Sequence, residues 1–197
     1  MALIHPVSTA EPPFLESLPL TRRAFAFAQE LHAEQRRDWD GAPFILHPLE
    51  VAALLSAADW PDHVVAAGIL HDVVEDTDTD IATVDERFGG RVAALVAAVT
   101  EDEDIEPYQA RKEALRRKAV GAGQEARAVF AADKVAKVRE LRAQIAHAPH
   151  RDDPSRARRI EHYRESLRML SEHDAETTLV RKLAFELWAL ENLPPGA

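Results

Sequence analysis

Apolar positions recur three and four residues apart over most of the chain and nowhere alternate as a half-buried strand would, so the pattern predicts helices throughout. Leu20, Ala24, Phe27, Ala28 and Leu31 mark a first helix from near Thr21, a good N-cap residue, to about Arg37. Residues 38–43 read as a loop by their Gly and Pro, and Pro48 suits the first turn of a second helix, with His47 just before it, that runs to about Ala58. Pro61 opens a third. Over residues 64–74 only Gly68, His71 and Asp72 interrupt its apolar run, so this helix should be buried nearly all round and sit at the centre. A short capped helix over 79–88, a break at Gly89-Gly90, an apolar helix over 92–99 and an acidic loop follow. Further helices are expected at about 107–119, 124–147, 155–172 and 175–192. Residues 1–18, with Pro6, Pro12 and Pro13 and few periodic apolar positions, read as an extended arm. The whole is an all-α bundle of seven to nine helices over residues 19–193.

Composition narrows the chemistry. With 197 residues and 46% hydrophobic side chains, one domain with its own core is the expectation. The chain has no cysteine, which removes disulfides, thiolate metal sites and cysteine nucleophiles, and leaves imidazole and carboxylate as metal ligands. A formal net charge of −10 argues against a general nucleic-acid binder, which needs a basic field, but leaves room for one small phosphorylated ligand. The N-terminus lacks a basic start and long apolar run, and no stretch approaches the roughly 20 apolar residues of a membrane span, so a cytoplasmic protein without a membrane partner is expected. A homo-oligomer stays open.

Candidate chemistry starts at His71-Asp72-Val73-Val74-Glu75-Asp76. In a continuous helix His71 would stack on Glu75, and Asp72 on Asp76. Three carboxylates and an imidazole at the end of a buried helix are costly unless a positive charge compensates them, and a divalent cation would do so. The plainer reading is a polar helix end in water. Asp133 lies in another apolar stripe, behind Val129 and Phe130 and before Ala136, where a carboxylate needs a partner; Lys137, four residues on, is the bland one. His47, beside a helix start, completes a set of two imidazoles and two carboxylates. That set suits manganese first, with magnesium or iron(II) as alternatives. Glu75 and Asp76 are then placed to orient an attacking water or handle protons. No serine of the chain lies in a nucleophile-elbow setting, so metal-assisted phosphate hydrolysis fits better than acyl transfer.

In order and spacing, residues 44–52 (Phe-Ile-Leu-His-Pro-Leu-Glu-Val-Ala), 69–77 (Ile-Leu-His-Asp-Val-Val-Glu-Asp-Thr) and 88–96 (Phe-Gly-Gly-Arg-Val-Ala-Ala-Leu-Val) resemble the HD-type hydrolase domain of the RelA/SpoT family. Val99-Thr100-Glu101-Asp102 and residues 131–135 continue the match, which covers roughly 20–170. The resemblance implies manganese held by His47, His71, Asp72 and Asp133, with Glu75 and Asp76 serving the attack. It implies removal of pyrophosphate from the ribose 3′ position of guanosine tetra- and pentaphosphate, as in the small hydrolase-only alarmone hydrolases. It also makes Arg36 and Arg37, in the basic loop before His47, and Arg159 and Tyr163, late in the chain, candidates for nucleotide contact. One departure stands out: where the family commonly has Asn four residues after the metal-binding Asp, this chain has Lys137, which becomes a candidate phosphate contact.

Two other functions compete. An HD phosphohydrolase could act on another nucleotide, such as a deoxynucleotide or a 2′- or 3′-phosphorylated one. A helical nucleotide sensor or scaffold would need no catalysis, although every ligand and acidic position is filled with a competent residue.

Overall fold

The computed structural model describes residues 11–148 and 153–193. Helix α3 (Asp62–Leu70) is buried at every position from Val64 to Leu70, as its uninterrupted apolar run demands. Around it pack α1 (Pro19–Leu31), α2 (Leu46–Ser56), α6 (Gly90–Val99) and α8 (Gln124–His147). The other segments are α4 (Val73–Asp76), α5 (Ile81–Phe88), α7 (Tyr108–Gly121), α9 (Arg156–Asp174) and α10 (Thr178–Asn192). Among the described residues the chain is all-α, nine helices of eight residues or more plus the single turn α4. No described helix is long and apolar enough to cross a membrane.

The α2–α3 crossing is close because Gly68 has no side chain. A Cβ there would stand 2.5 Å from Leu55 Cδ1 and 3.3 Å from Val51 Cγ1. Helix α8 is the long strut, burying residues such as Val129, Phe130, Val135 and Val138 against α2, α3, α6 and α10. Together α2, α3 and α8 meet in the interior, and the polar side chains on their facing turns come together there.

Several expectations need correction. The first helix ends at Leu31, not near Arg37, and Thr21 is not its cap. Its exposed amide groups are instead served from α3: Asp62 accepts from Leu20 N (2.9 Å), Thr21 N (2.9 Å) and Thr21 Oγ1 (2.6 Å). Residues 32–43 form a loop closed by an Arg36–Pro43 bridge, and Gly41 turns it with a φ of 71°. His47 lies inside the first turn of α2 rather than ahead of it. The expected central helix breaks at His71-Asp72, where Asp72 has φ −98° and ψ −5°, so α3 and α4 are separate and the stacked pairs do not share one helix. Of the expected extended arm, residues 1–10 lie outside the described residues, while Pro13–Ser17 forms a 3-10 turn that buries Leu15. The remaining helices fall within three residues of their expected bounds.

Candidate active site and metal centre

His47 enters from α2, His71 and Asp72 from the α3–α4 break, and Asp133 from the middle of α8; all four are buried, at 3–5% exposure. His47 Nε2 lies 3.2 Å from His71 Nε2, 3.2 Å from Asp133 Oδ1 and 3.4 Å from Asp72 Oδ2. His71 Nε2 is 3.1 Å from Asp72 Oδ1 and 3.5 Å from Asp133 Oδ1. One ligand atom each from His47, His71 and Asp133 falls within a span of 4.8 Å, the size of a cation's coordination sphere.

Two observations fit a cation here. His71 Nδ1 lies 2.9 Å from the Gly68 carbonyl oxygen, which can only accept, so Nδ1 carries the hydrogen and Nε2 can offer a lone pair to the cluster. Asp133 Oδ1 is buried and no donor meets it with hydrogen-bond geometry, although the Lys137 ammonium stands 3.3 Å away. Charge tells the same story. Burial opposes the carboxylate form of Asp72, yet His71, Lys137 and His47 hold its pKa far below the usual range. Burial likewise opposes ionised Asp133, and Lys134 and Lys137 overcome it. Against the lowering effect of burial, the same carboxylates raise His71 to about 10, so without a cation the ring holds a second proton on Nε2, and a bound cation would take that proton's place. Two ionised carboxylates in a dry interior call for positive charge on the imidazole face.

Glu75 and Asp76 stand on α4, immediately beyond the cluster. Glu75 Oε1 accepts from Glu101 N at 2.6 Å, which fixes one carboxylate oxygen. Burial raises the pKa of Glu75, and nearby Asp72 adds to the rise. Asp76 is raised by the same causes in the same order. Its backbone carbonyl accepts from Gln35 Nε2 at 2.6 Å, tying α4 to the 32–43 loop.

Two cavities adjoin the cluster. One, of about 440 Å³, has Lys134 and Lys137 on its wall along with Tyr108, Lys112, Arg158 and Tyr163. The second, of about 460 Å³, reaches His47 and takes in Arg36, Arg37, Trp39 and Phe44. They share Glu140, Gln144, Ser155 and Arg159, and so form one groove. The structure thus brings all five sequence candidates for ligand contact, Arg36, Arg37, Lys137, Arg159 and Tyr163, onto its walls. Burial pushes the Tyr163 hydroxyl up to about 12, so it remains a donor at neutral pH.

Sequence reasoning missed Lys112, Lys134, Arg158, Tyr108 and Trp39. The best available signal was Lys134, a charged residue within the apolar stripe of α8; it is 3% exposed, and its ammonium lies 2.5 Å from Asp133 Oδ2 and 4.6 Å from the Phe130 ring centroid.

The HD domain family matches residues 24–162. Over 79 residues the chain is 51% identical to a probable guanosine-3′,5′-bis(diphosphate) 3′-pyrophosphohydrolase of Synechocystis sp., a match covering 40% of this chain and 10% of that one. To the guanosine-3′,5′-bis(diphosphate) 3′-pyrophosphohydrolase MESH1 of Xenopus tropicalis it is 38% identical over 126 residues, 62% of this chain and 70% of the relative. The solved structure of a metazoan ortholog of SpoT, described as hydrolysing ppGpp, superposes with a TM-score of 0.71 at 23% identity, covering 95% of this chain and 100% of that one. At that identity the likeness speaks to the fold. The chain spans about a tenth of the Synechocystis and Aquifex aeolicus relatives, at 10% and 11% of their lengths. The family match contains His47, His71, Asp72, Glu75, Asp76 and Asp133 and extends over most of the helices that position them, and the chain belongs to the HD domain family.

Proposed function

We propose that this chain is a metal-dependent phosphohydrolase that removes pyrophosphate from the 3′ position of guanosine tetra- or pentaphosphate, with the adenosine analogues as the alternative base. The observation that carries this reading is the convergence of His47 Nε2, His71 Nε2 and Asp133 Oδ1 beside a groove whose walls hold lysines and arginines in a protein of net charge −10. Relatives named for that activity support the choice of substrate.

The cation, manganese first with magnesium or iron(II) as alternatives, would be held by His47, His71, Asp72 and Asp133. When bound it supplies Lewis-acid polarisation of a phosphate oxygen and a lowered pKa for water. Glu75, with one oxygen fixed by Glu101 N, has the other available to take a proton from the attacking water. Asp76 orients that water. Lys137 and Arg159, with Lys112 and Arg158, would meet phosphate oxygens, and Tyr163 would donate a hydrogen bond. Arg36 and Arg37, in the cavity that reaches His47, would face the base. The hydrolase unit of this reading is residues 19–193.

Purified protein supplied with manganese should convert guanosine 3′,5′-bis(diphosphate) and water into guanosine 5′-diphosphate and pyrophosphate, followed by phosphorus NMR. Turnover of deoxynucleotides or 2′- or 3′-monophosphorylated nucleotides instead would move the assignment to another nucleotide. Metal binding with no turnover of any would leave a non-catalytic sensor.

A further inference from the structure

Two lysines serve Asp133, and they are not equivalent. Lys134 is locked: its side chain is 4% exposed, and its ammonium sits on Asp133 Oδ2 beneath the Phe130 ring. Lys137 takes the other oxygen. Its Nζ lies 3.3 Å from Asp133 Oδ1 and 3.9 Å from Asp72 Oδ1, with a side chain 35% exposed on the wall of the 440 Å³ cavity. Asp133 Oδ1 is the oxygen that faces both His47 Nε2 and His71 Nε2, and Asp72 Oδ1 is the one beside His71. The ammonium and a bound cation would therefore claim the same oxygens. At such separations two positive charges repel strongly, and the one with a flexible four-carbon stem and an open side must yield. Its retreat leads into the cavity, where Lys112 and Arg158 already line the wall.

We propose that Lys137 is a resident counter-cation of the metal cluster, pushed off Asp133 Oδ1 into the adjoining cavity when a divalent ion binds. Building on the proposed metal site, this makes the metal costlier to load and presents the ammonium to an anionic ligand only once loading is complete. By linkage, a ligand anion that holds the displaced ammonium tightens the metal in return.

The test titrates manganese into metal-free protein with no nucleotide present, reading free manganese by electron paramagnetic resonance, for the parent, Lys137→Met, Lys137→Gln and Lys137→Arg. Circular dichroism checks that each is folded, and the two neutral variants guard against loss of one. Met and Gln both remove the charge on a side chain one atom shorter than Lys, one apolar and one polar, so both should bind manganese more tightly by on the order of tenfold. Arg keeps the charge and should stay near the parent. Equal affinities in all four, or weaker binding in Met and Gln, would overturn the displacement while leaving the metal site standing. Absence of manganese binding in all four would remove the metal site and this inference with it.

Discussion

His71 Nδ1 donates to the Gly68 carbonyl oxygen at 2.9 Å, and this bond joins the fold to the site. The carbonyls in the last turn of a helix lack amide partners, and here an imidazole from the break itself fills one vacancy. The bond holds the ring so that Nε2 faces His47 Nε2 at 3.2 Å. Gly68 thus serves twice, letting α2 approach through its missing Cβ and anchoring the ring through its oxygen.

Asp133→Ala should abolish manganese binding along with activity. It also leaves buried Lys134 without its carboxylate, so the metal-free variant should lose about 3 kcal/mol of stability. Metal content by elemental analysis and urea unfolding check the two effects separately. Full manganese occupancy in the variant would take Asp133 out of the ligand set.

Glu75→Gln keeps the shape of the side chain and an oxygen for the 2.6 Å bond from Glu101 N, but removes the proton acceptor. Metal content should stay at the parent level while kcat falls by roughly 10² to 10⁴-fold. An unchanged kcat would demote Glu75 to a structural carboxylate.

The helical pattern and the four buried residues proposed as ligands were legible because each interrupts an apolar stretch, where an ionisable group costs energy unless matched. The break at His71-Asp72 was not, since a side chain capturing a carbonyl leaves the spacing of Leu70 and Val73 unchanged. Nor was the end of α1 at Leu31. Residues 33–37 have helix-compatible composition, and what turns the chain is tertiary: His32 against Phe44, with ring centroids 4.8 Å apart, and Gln35 bonded to Asp76 O. Lys112 and Arg158 look like the solvated face of amphipathic helices, and only the packing of α7, α8 and α9 reveals the shared cavity.

Asp62 gives a test of the fold that does not touch the site. Its carboxylate accepts from two amides and a hydroxyl at the start of α1, so Asp62→Ala should cost about 2 kcal/mol, and Asp62→Asn, which retains one acceptor, about half as much. Urea midpoints at constant m-value report the loss. Parent-like stability for the alanine variant would mean that α1 is held by packing alone.

His162 predicts a pH dependence. Burial, then the charges of Lys134, Lys112 and Arg116, lower its pKa from 6.5 to about 2. The unfolded chain takes up a proton below 6.5 that the folded chain refuses, so this contribution is whole above that pH and is lost as pH falls towards 2. Down to about pH 5, before most carboxylates titrate, the loss should approach about 1.4 kcal/mol per pH unit. Unfolding curves of metal-free protein between pH 7.5 and about 5 should show it, and His162→Gln should flatten the slope. The same slope in both would place the acid sensitivity elsewhere.

Trp39 holds the 32–43 loop against α8. Its Nε1 donates to Glu140 Oε1 at 2.8 Å, its ring lies edge-on to His147 with centroids 6.1 Å apart, and the Arg37 guanidinium sits 5.1 Å above it. The Trp39–Glu140 bond therefore fixes the wall of the groove on which Arg36 and Arg37 stand. Trp39→Phe keeps an aromatic face for Arg37 and loses the bond to a carboxylate together with part of the ring that meets His147, a change of about 1.5 kcal/mol or tenfold in binding. With guanosine 3′,5′-bis(diphosphate) as substrate, KM should rise by about that factor while kcat stays within about twofold, since the proposed mechanism has the loop position the ligand and gives the chemistry to α4 and the cluster. Glu140→Gln retains an acceptor for the indole and should raise KM less than Trp39→Phe does. A fall in kcat at constant KM would instead tie Trp39 to the chemical step, and the loop's part as a positioning wall would have to be given up.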